Sequence, residues 1–198
     1  LIDAISVYDA TEANEAIDDT FARFDVAAAL DHVLMPTLRV VGEGWEHDPG
    51  AIAREHFATN AVRPRLIRLL RSPAGRGTPT CIAAAPEKEE HDLGVLASAV
   101  VASDAGWNVT FLGSRTPTGA LRRAIETTGA QVALVGAVRR RPAQTFMDEL
   151  HGPLPCGLVL GGAGFREEDV HRVNGRVTRH LGAYTTLPNS LAQVADQP

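Results

Sequence analysis

Residues 80–112, TCIAAAPEKEEHDLGVLASAVVASDAGWNVTFL, contain the pattern that decides the fold. Short apolar runs predict strands at Thr80–Ala85 and Val109–Leu112, and a helical pattern spans about 94–105 between them. The alternation continues toward the C-terminus, with strands predicted at Val132–Val138, Gly157–Leu160 and Val177–Leu181, and helices at about 117–128, 142–151, 166–173 and from Pro188. This spacing indicates an α/β fold with a doubly wound parallel sheet of flavodoxin-like order. Ligands of such folds bind at the carboxyl ends of the strands.

The N-terminal part has a different hydrophobic periodicity: residues 1–71 have a helical pattern almost throughout. Four helical segments with short connections predict a small helical bundle, and Pro36 is expected to bend the helix that carries it. One apolar stripe repeats at spacings of three and four and ends in an indole; it consists of Leu30, Leu34, Leu38, Val41 and Trp45. The Pro- and Gly-rich stretch 72–79 predicts a linker between a helical cap at 1–71 and a sheet domain at 80–198.

The composition excludes several classes of protein. Of the 198 residues, 44% are hydrophobic and 22% are charged, which is typical of a soluble globular chain. The 19 basic and 24 acidic residues give a net charge of −5, so no global field attracts nucleic acid. The run Arg139-Arg140-Arg141 is too short for a DNA-binding face and is expected to be a solvated loop. Cys81 and Cys156 lie in apolar runs and indicate a reducing, cytoplasmic setting. Neither a membrane span nor a signal peptide is visible.

The loop that follows the first predicted strand carries the candidate site. It runs from Pro86 to Gly94 as PEKEEHDLG, with a single histidine, His91, framed by Glu89 and Asp92. Imidazole is the commonest protein ligand of transition metals, and a carboxylate two residues away can accept its second N–H and so fix its tautomer. The alternative is a solvated acidic loop with an incidental histidine.

The other residues at this sheet edge favour a large planar ligand. A phosphoacceptor receiver needs an acidic residue at the end of the third strand, where the sequence is GAVR at 136–139. A flavin mononucleotide site needs a Ser/Thr/Gly-rich loop after the first strand, and that loop is highly charged here. The fourth strand ends in LGGAG at 160–164, and glycines at a strand end let the backbone approach a bulky ligand closely. Together with His91 they suggest a ligand whose tail enters the sheet edge.

The spacing Glu89-x-His91-x-x-Gly94, with Gly161-Gly162 downstream, resembles the Asp-x-His-x-x-Gly … Gly-Gly signature of base-off, His-on cobalamin-binding domains. The resemblance implies that His91 is the lower axial ligand of cobalt and that the nucleotide tail passes the glycine pair. The cofactor contacts that it implies are Glu89, Asp92, Leu93, Gly94, Gly136, Val138, Gly161 and Gly162. Two positions depart from the signature: Glu89 replaces aspartate, and Gly136-x-Val138 replaces the family's Ser-x-Leu element and so removes a hydroxyl near the tail.

A second motif lies in the helical part of the chain. Trp45 is followed ten residues later by Glu55-His56, which resembles the Trp-x9-Glu-His motif of the CarH-like, light-responsive MerR-type regulators. In that family a helical bundle caps the upper face of the corrin. The resemblance therefore implies that Trp45 packs on an adenosyl group and that Glu55 and His56 hydrogen-bond it. The histidine that directly follows the tryptophan in those regulators is Glu46 here, and His47 and His56 are the candidates to replace it as a cobalt ligand after photolysis.

The resemblance implies a cobalamin-dependent photosensory module rather than an enzyme, with adenosylcobalamin as the expected cofactor. Light would break the bond between cobalt and its upper group, and this would change self-assembly, expected as a dimer or tetramer, or binding to an output partner. No winged-helix DNA-binding domain is recognised, so neither nucleic acid nor a membrane is an expected partner of this chain. Some relatives also bind a linear tetrapyrrole such as biliverdin, and no cysteine here is placed to attach one.

The sequence leaves two other functions open. A corrinoid protein that carries methyl groups for a methyltransferase shares the size, the helical cap and the lower histidine. The spacing from Trp45 to Glu55 and His56 favours a capped adenosyl group over an upper face that is open to a partner enzyme. The third possibility is an interaction domain without any cofactor.

Overall fold

The computed structural model describes residues 1–42, 48, 50–70, 77–152 and 154–195. The chain divides into two compact units, Leu1–Leu69 and Leu70–Pro198. Within the described ranges, helices are all too short or too polar to cross a membrane.

The described part of the first unit contains six helical segments. They are α1 (Ile2–Ser6), α2 (Ala10–Arg23), α3 (Val26–Ala29), a π-helical segment (Leu30–Leu34), α4 (Met35–Gly42) and α5 (Gly50–Leu69). Asp9 and Asp25 begin α2 and α3 as N-caps, because their carboxylates accept hydrogen bonds from the N–H groups three residues on, at 3.0 and 2.8 Å. Asp48 precedes α5, and its carboxylate accepts from the N–H of Gly50, two residues on, at 2.8 Å.

The helix around Pro36 widens before the proline. Proline has no N–H, and its ring collides with the carbonyl four residues earlier in an α-helix, here that of His32. The segment Leu30–Leu34 is π-helical, and the N–H of Met35 donates to the carbonyl of Leu30, five residues earlier. The extra residue in this turn gives the proline ring room, as π-bulges do elsewhere. Leu30 and Leu34 of the apolar stripe are fully buried, and Trp45 at its end lies outside the described residues.

Helices α2 and α5 are joined by a planar ion pair. The Arg65 guanidinium donates to both carboxylate oxygens of Asp18, at 3.0 and 3.1 Å, and to the amide oxygen of Asn14 at 2.6 Å. This hydrogen bonding lowers the pKa of Asp18. Both helices also bury apolar side chains, Ile17 from α2 and Val62 and Leu66 from α5. The bidentate pair adds a directional polar contact between the two helices.

The second unit is a five-stranded parallel sheet with helices along it. Its elements are β1 (Thr80–Pro86), α6 (Leu93–Asp104), β2 (Asn108–Thr116), α7 (Thr118–Thr128), β3 (Val132–Gly136), α8 (Arg140–Glu149), β4 (Gly157–Gly161), α9 (Glu167–Val170), β5 (Val177–His180), a 3₁₀ turn (Tyr184–Thr186) and α10 (Leu187–Ala195). The strand order is β2-β1-β3-β4-β5, with every pairing parallel. The predicted fold class is confirmed.

Alternating strand residues build the core of the sheet unit. Ile82, Ala133 and Leu158, on three adjacent strands, pack with α7 and α8 on one face. Helices α6 and α10 contact the same strands. Phe146 of α8 meets Phe165, which follows β4, edge to face at a centroid distance of 6.1 Å. This packing holds the carboxyl ends of β1, β3 and β4 at one edge, where the candidate site lies.

Two strand ends differ from the sequence prediction by more than one residue. The third strand ends at Gly136 instead of Val138, because the N–H of Ala137 turns to the carbonyl of Gly161 at 3.0 Å and that of Val138 turns to Glu89. The second strand, predicted to end at Leu112, extends to Thr116. Both differences arise from contacts between loops at the site edge, which the local pattern does not contain.

The prediction that Arg140 belongs to a solvated loop is wrong. Arg140 begins α8, and its guanidinium forms a bidentate ion pair with Asp169, whose side chain is fully buried. Asp169 also accepts the N–H of Arg166 at 2.8 Å. Burial raises the pKa of Asp169, but these hydrogen bonds outweigh burial, so the pKa lies below its ordinary value. The run of three arginines did not predict this ion pair, because the partner of Arg140 lies 29 residues further along the chain.

Substituting Asp169→Asn is expected to lower the stability of the sheet unit by about 1–3 kcal/mol at neutral pH, since an ionised hydrogen-bond acceptor is lost. Because the folded-state pKa is depressed, the contribution of Asp169 is complete above the unfolded-state pKa and is lost as pH falls through the folded value. Urea titrations from neutrality to about pH 3 should therefore show the two proteins converging in acid. A difference that persists undiminished in acid would contradict this.

Candidate cofactor site

His91 lies in the loop between β1 and α6, held by Glu89. Its Nδ1 is 2.6 Å from Glu89 Oε1, and its backbone N–H donates to the same oxygen at 3.0 Å. An ionised carboxylate only accepts, so Nδ1 carries a proton, and in the neutral ring Nε2 keeps its lone pair. The His91 side chain is 38% exposed, whereas that of Glu89 is completely buried. The loop thus presents one oriented nitrogen ligand at the carboxyl edge of the sheet.

The second oxygen of Glu89 holds a different loop. Glu89 Oε2 accepts the N–H groups of Val138 and Arg139, at 2.9 and 3.0 Å, from the turn between β3 and α8. Burial raises the pKa of Glu89, but hydrogen bonds from the N–H groups of Arg139 and His91 and from the His91 ring outweigh it, and the net pKa is lowered. One carboxylate therefore fixes the His91 tautomer and ties together the two loops that border the edge.

The two residues after His91 are buried or half-buried. Asp92 is 6% exposed, and its Oδ2 lies 3.5 Å from the position that a Cβ on Gly113 of β2 would occupy. Leu93 is half-buried and begins α6. Gly94 has room beside it, since an added Cβ would meet only the Tyr184 hydroxyl, at 3.7 Å. Asp92 thus lies against β2, and Gly94 leaves space that a side chain at this position would fill.

The two glycines at the end of β4 have different roles: the protein's own packing requires Gly162 but not Gly161. Gly162 has φ +84°, and a Cβ there would lie 2.3 Å from the carbonyl oxygen of Ala137. The protein itself requires glycine at that position. At Gly161 a Cβ would meet only the His180 carbonyl, at 3.9 Å. The packing of the protein also explains the glycine at position 136, because a Cβ there would lie 2.4 Å from Val95 Cγ2. Of the three, only Gly161 leaves space that the described protein does not fill.

Two exposed apolar side chains follow the strands on either side of β4. Val138 follows β3 and Leu181 follows β5, and each is 55% exposed. Leu181 was not among the predicted site residues, although its position directly after the last strand places it at the ligand-binding edge of this fold. An apolar, glycine-lined edge beside one imidazole suits a large, partly apolar ligand.

A cavity of about 430 Å³ lies beside the same loop and is lined by Glu87, Lys88, Glu90, Arg115 and Pro117. It is charged and contains none of the predicted site residues. The apolar edge next to His91 fits a large planar ligand better than this cavity does.

The predicted upper-face residues belong to the helical unit. Glu55 and His56 lie on α5, where Glu55 is half-buried and His56 is exposed. As neighbours on a helix they point about 100° apart. Trp45, Glu46 and His47 lie outside the described residues.

Comparison with known proteins places the chain among B12-binding proteins. The model of the family described as "B12 binding domain" matches residues 1–70. The chain is 36% identical over 172 residues to the HTH-type transcriptional repressor CarH of Myxococcus xanthus, and 32% identical over 170 residues to the repressor CarA of the same organism. These alignments cover 84% and 83% of this chain but 57% of each repressor, so the chain spans little more than half the length of these relatives.

Among solved structures, the monomethylamine corrinoid protein of Methanosarcina barkeri has a similar fold. The TM-score is 0.75 over 96% of this chain and 94% of that protein, at 17% sequence identity. At this identity the likeness shows the fold alone. The family model and the two repressors support cobalamin binding and confirm the resemblance found in the sequence. The chain therefore belongs to the family of the CarH-type regulators and corresponds to their B12-binding part.

Proposed function

We propose that this chain is a cobalamin-dependent light-sensing module in which His91 is the lower axial ligand of cobalt. The observation that carries the proposal is the clamp on His91: a buried carboxylate binds Nδ1 and leaves Nε2 as a free ligand at the carboxyl edge of a parallel sheet. The similarity to CarH-type regulators supports the light-sensing part of the proposal.

The described residues at this edge fit a corrinoid. The corrin would lie over His91 and the space at Gly94, and its nucleotide tail would enter beside Gly161, with Val138 and Leu181 as apolar contacts. When bound, cobalamin supplies a light-sensitive bond between cobalt and its upper group, for which we propose adenosyl. Glu89 retains the proton on Nδ1 and keeps the Nε2 lone pair available. Because Glu89 also holds the turn after β3, the lower ligand and the tail-binding loops form one rigid platform.

For the upper face we propose Trp45, Glu55 and His56, as the family motif implies. An adenosyl group in contact with these side chains would give the helical unit interactions that disappear when the group leaves. Only such a difference in interaction free energy between two states can shift a conformational equilibrium. We therefore propose that light changes self-association, as a dimer or tetramer, or binding to an output protein.

Illumination of the loaded protein is expected to change both its visible spectrum and its mass in solution. The experiment loads the protein with adenosylcobalamin in darkness and records the spectrum and light-scattering mass before and after green light. A protein loaded with cyanocobalamin is the matched control, because it lacks the adenosyl group. A changed mass with adenosylcobalamin alone supports the proposal. Photolysis without any change in mass or partner binding would contradict the signalling role, and a far-red band in the purified protein would reveal a second chromophore such as biliverdin.

Alanine substitutions at the two neighbouring glycines are expected to separate cofactor binding from folding. Gly161→Ala should leave the melting temperature of the cofactor-free protein nearly unchanged but weaken cobalamin binding, since its methyl group enters the space proposed for the tail. Gly162→Ala should destabilise the cofactor-free protein by at least about 1–2 kcal/mol, because an L-residue is strained at φ +84° and its Cβ meets Ala137. Calorimetry and spectral titration measure the two effects. Wild-type cobalamin affinity in Gly161→Ala would exclude the tail from that position.

The methyl-carrier function is the alternative. It would be favoured if the bound cofactor exchanged methyl groups with a methyltransferase and its loss of an upper group in light had no effect on the protein. Spectra of the protein loaded with methylated cofactor, recorded with and without a corrinoid methyltransferase, would show whether the methyl group is exchanged and so distinguish the two functions.

A further inference from the structure

Strand β2 departs from regular pairing as it approaches the His91 loop. Its register with β1 runs from Ala83↔Phe111 to Ala84↔Gly113 and then to Pro86↔Thr116, so β2 contains an extra residue at each of two irregularities. Extra residues of this kind bend a strand and re-aim its backbone, and they are frequent beside functional sites. Here they bring the end of β2 toward the loop that contains Glu89.

Arg115, within the second irregularity, has left-handed backbone geometry. Its φ is +58°, which ordinary L-residues adopt rarely and at a cost in free energy. In this conformation its N–H donates to the carbonyl of Glu89 at 3.1 Å. On the other side of the loop, the N–H of Glu89 donates to the carbonyl of Pro86 at 2.8 Å. Both backbone groups of Glu89 are thereby fixed, and its buried side chain is free to hold His91.

The Arg115 side chain does not explain this geometry. It is 70% exposed, and its Nη1 is 3.9 Å from Oε1 of Glu90, itself 67% exposed. An ion pair that is this long and this solvated stabilises a backbone conformation weakly. Strained backbone persists where surrounding interactions determine it and is often found at functional sites. The backbone donor of Arg115, rather than its guanidinium, is the feature that the fold maintains.

We propose that Arg115 is a positioning residue for His91: its left-handed N–H anchors the Glu89 carbonyl, and this anchor keeps the Glu89 carboxylate on His91 Nδ1. The role of His91 as a cobalt ligand rests on the proposed function. The fixed tautomer of His91, with the proton on Nδ1, is a property of the protein without cofactor. The proposal concerns geometry and not the charge of the Arg115 side chain.

Two substitutions at this position separate backbone from side chain. Arg115→Gly removes the guanidinium but adopts positive φ freely and keeps the N–H. Arg115→Val keeps the N–H but resists positive φ, because a β-branched side chain is strained there. Leu112→Val, on the same strand and 37% exposed, controls for a valine in β2. The first readout is the ¹⁵N chemical shift of the His91 ring nitrogens in the cofactor-free protein, which reports the tautomer. The second is titration with adenosylcobalamin, followed by the spectrum of histidine-ligated cobalt.

The expected result is that Arg115→Gly and Leu112→Val resemble the wild type, with Nδ1 protonated and histidine-ligated cobalt. Arg115→Val should show mixed tautomers and about tenfold weaker cobalamin binding. If Arg115→Val does not fold, Arg115→Gly decides: a raised melting temperature with the tautomer retained supports the proposal. Loss of the tautomer in Arg115→Gly, or its retention in folded Arg115→Val, would overturn it. A wild type with the tautomer fixed but no affinity for cobalamin would refute the proposed function and leave the positioning role intact.

Discussion

Replacing His91 with alanine is expected to abolish the spectrum of histidine-ligated cobalamin and to weaken cofactor binding by about 10–100-fold or more. Removing even an outer partner of a metal ligand has effects of this size, and here the ligand itself is lost. The cofactor-free protein should be little affected, because the His91 side chain is 38% exposed and the backbone N–H to Glu89 remains. The variant therefore separates ligand loss from unfolding.

Two controls make the His91→Ala result specific. His171→Ala removes an exposed imidazole elsewhere in the sheet unit and should leave both the spectrum and the affinity unchanged. Added imidazole should partly restore a nitrogen-ligated spectrum in His91→Ala, because the vacated space lies at the exposed edge. Retention of the wild-type spectrum and affinity by His91→Ala would exclude His91 as the cobalt ligand and remove the basis of the proposed function.

The local sequence pattern was sufficient for the architecture of the sheet unit. Its five strands are short apolar runs separated by helical patterns, and each predicted strand overlaps an observed one. The pairing of Glu89 with His91 was also foreseeable, because residues two apart in a loop can meet without knowledge of the tertiary structure. These features depend on periodicity and on short-range spacing, which a single sequence displays directly.

Features that depend on distant partners were not foreseeable. Glu89 Oε2 accepts from N–H groups that are 49 and 50 residues away. Every residue except proline has a backbone N–H, so the residue types do not indicate which of these groups is the donor. The left-handed Arg115 gives no signal either, because arginine is not a residue associated with positive φ. The glycines show the same limit: the sequence presents Gly161 and Gly162 as a pair, but only the packing reveals that Gly162 serves the fold while Gly161 leaves space.

Glu89→Gln is expected to destabilise the cofactor-free protein more than His91→Ala does. The two Glu89 oxygens together accept from His91 N–H, the His91 ring, Val138 N–H and Arg139 N–H. A glutamine amide has one oxygen and one NH₂ in this fully buried place. If the NH₂ faces the turn after β3, it meets two N–H donors; if it faces His91, it meets one N–H donor and a ring that accepts only when its proton moves to Nε2. Each donor left without an acceptor costs about 1–3 kcal/mol, so one or two such donors predict a loss of about 1–6 kcal/mol.

The neighbouring Glu90→Gln, at a carboxylate that is 67% exposed, is the matched control and should change stability by less than about 0.5 kcal/mol. Urea denaturation measures both variants. Glu89→Gln should also bind cobalamin weakly, because the turn after β3 and the His91 ring lose their common anchor. Glu89→Asp restores the family's residue and both acceptor oxygens but shortens the reach by one methylene, so its stability should lie between those of wild type and Glu89→Gln. If Glu89→Gln were as stable as the wild type, the carboxylate would not be holding the two loops together, and the positioning of His91 would need a different explanation.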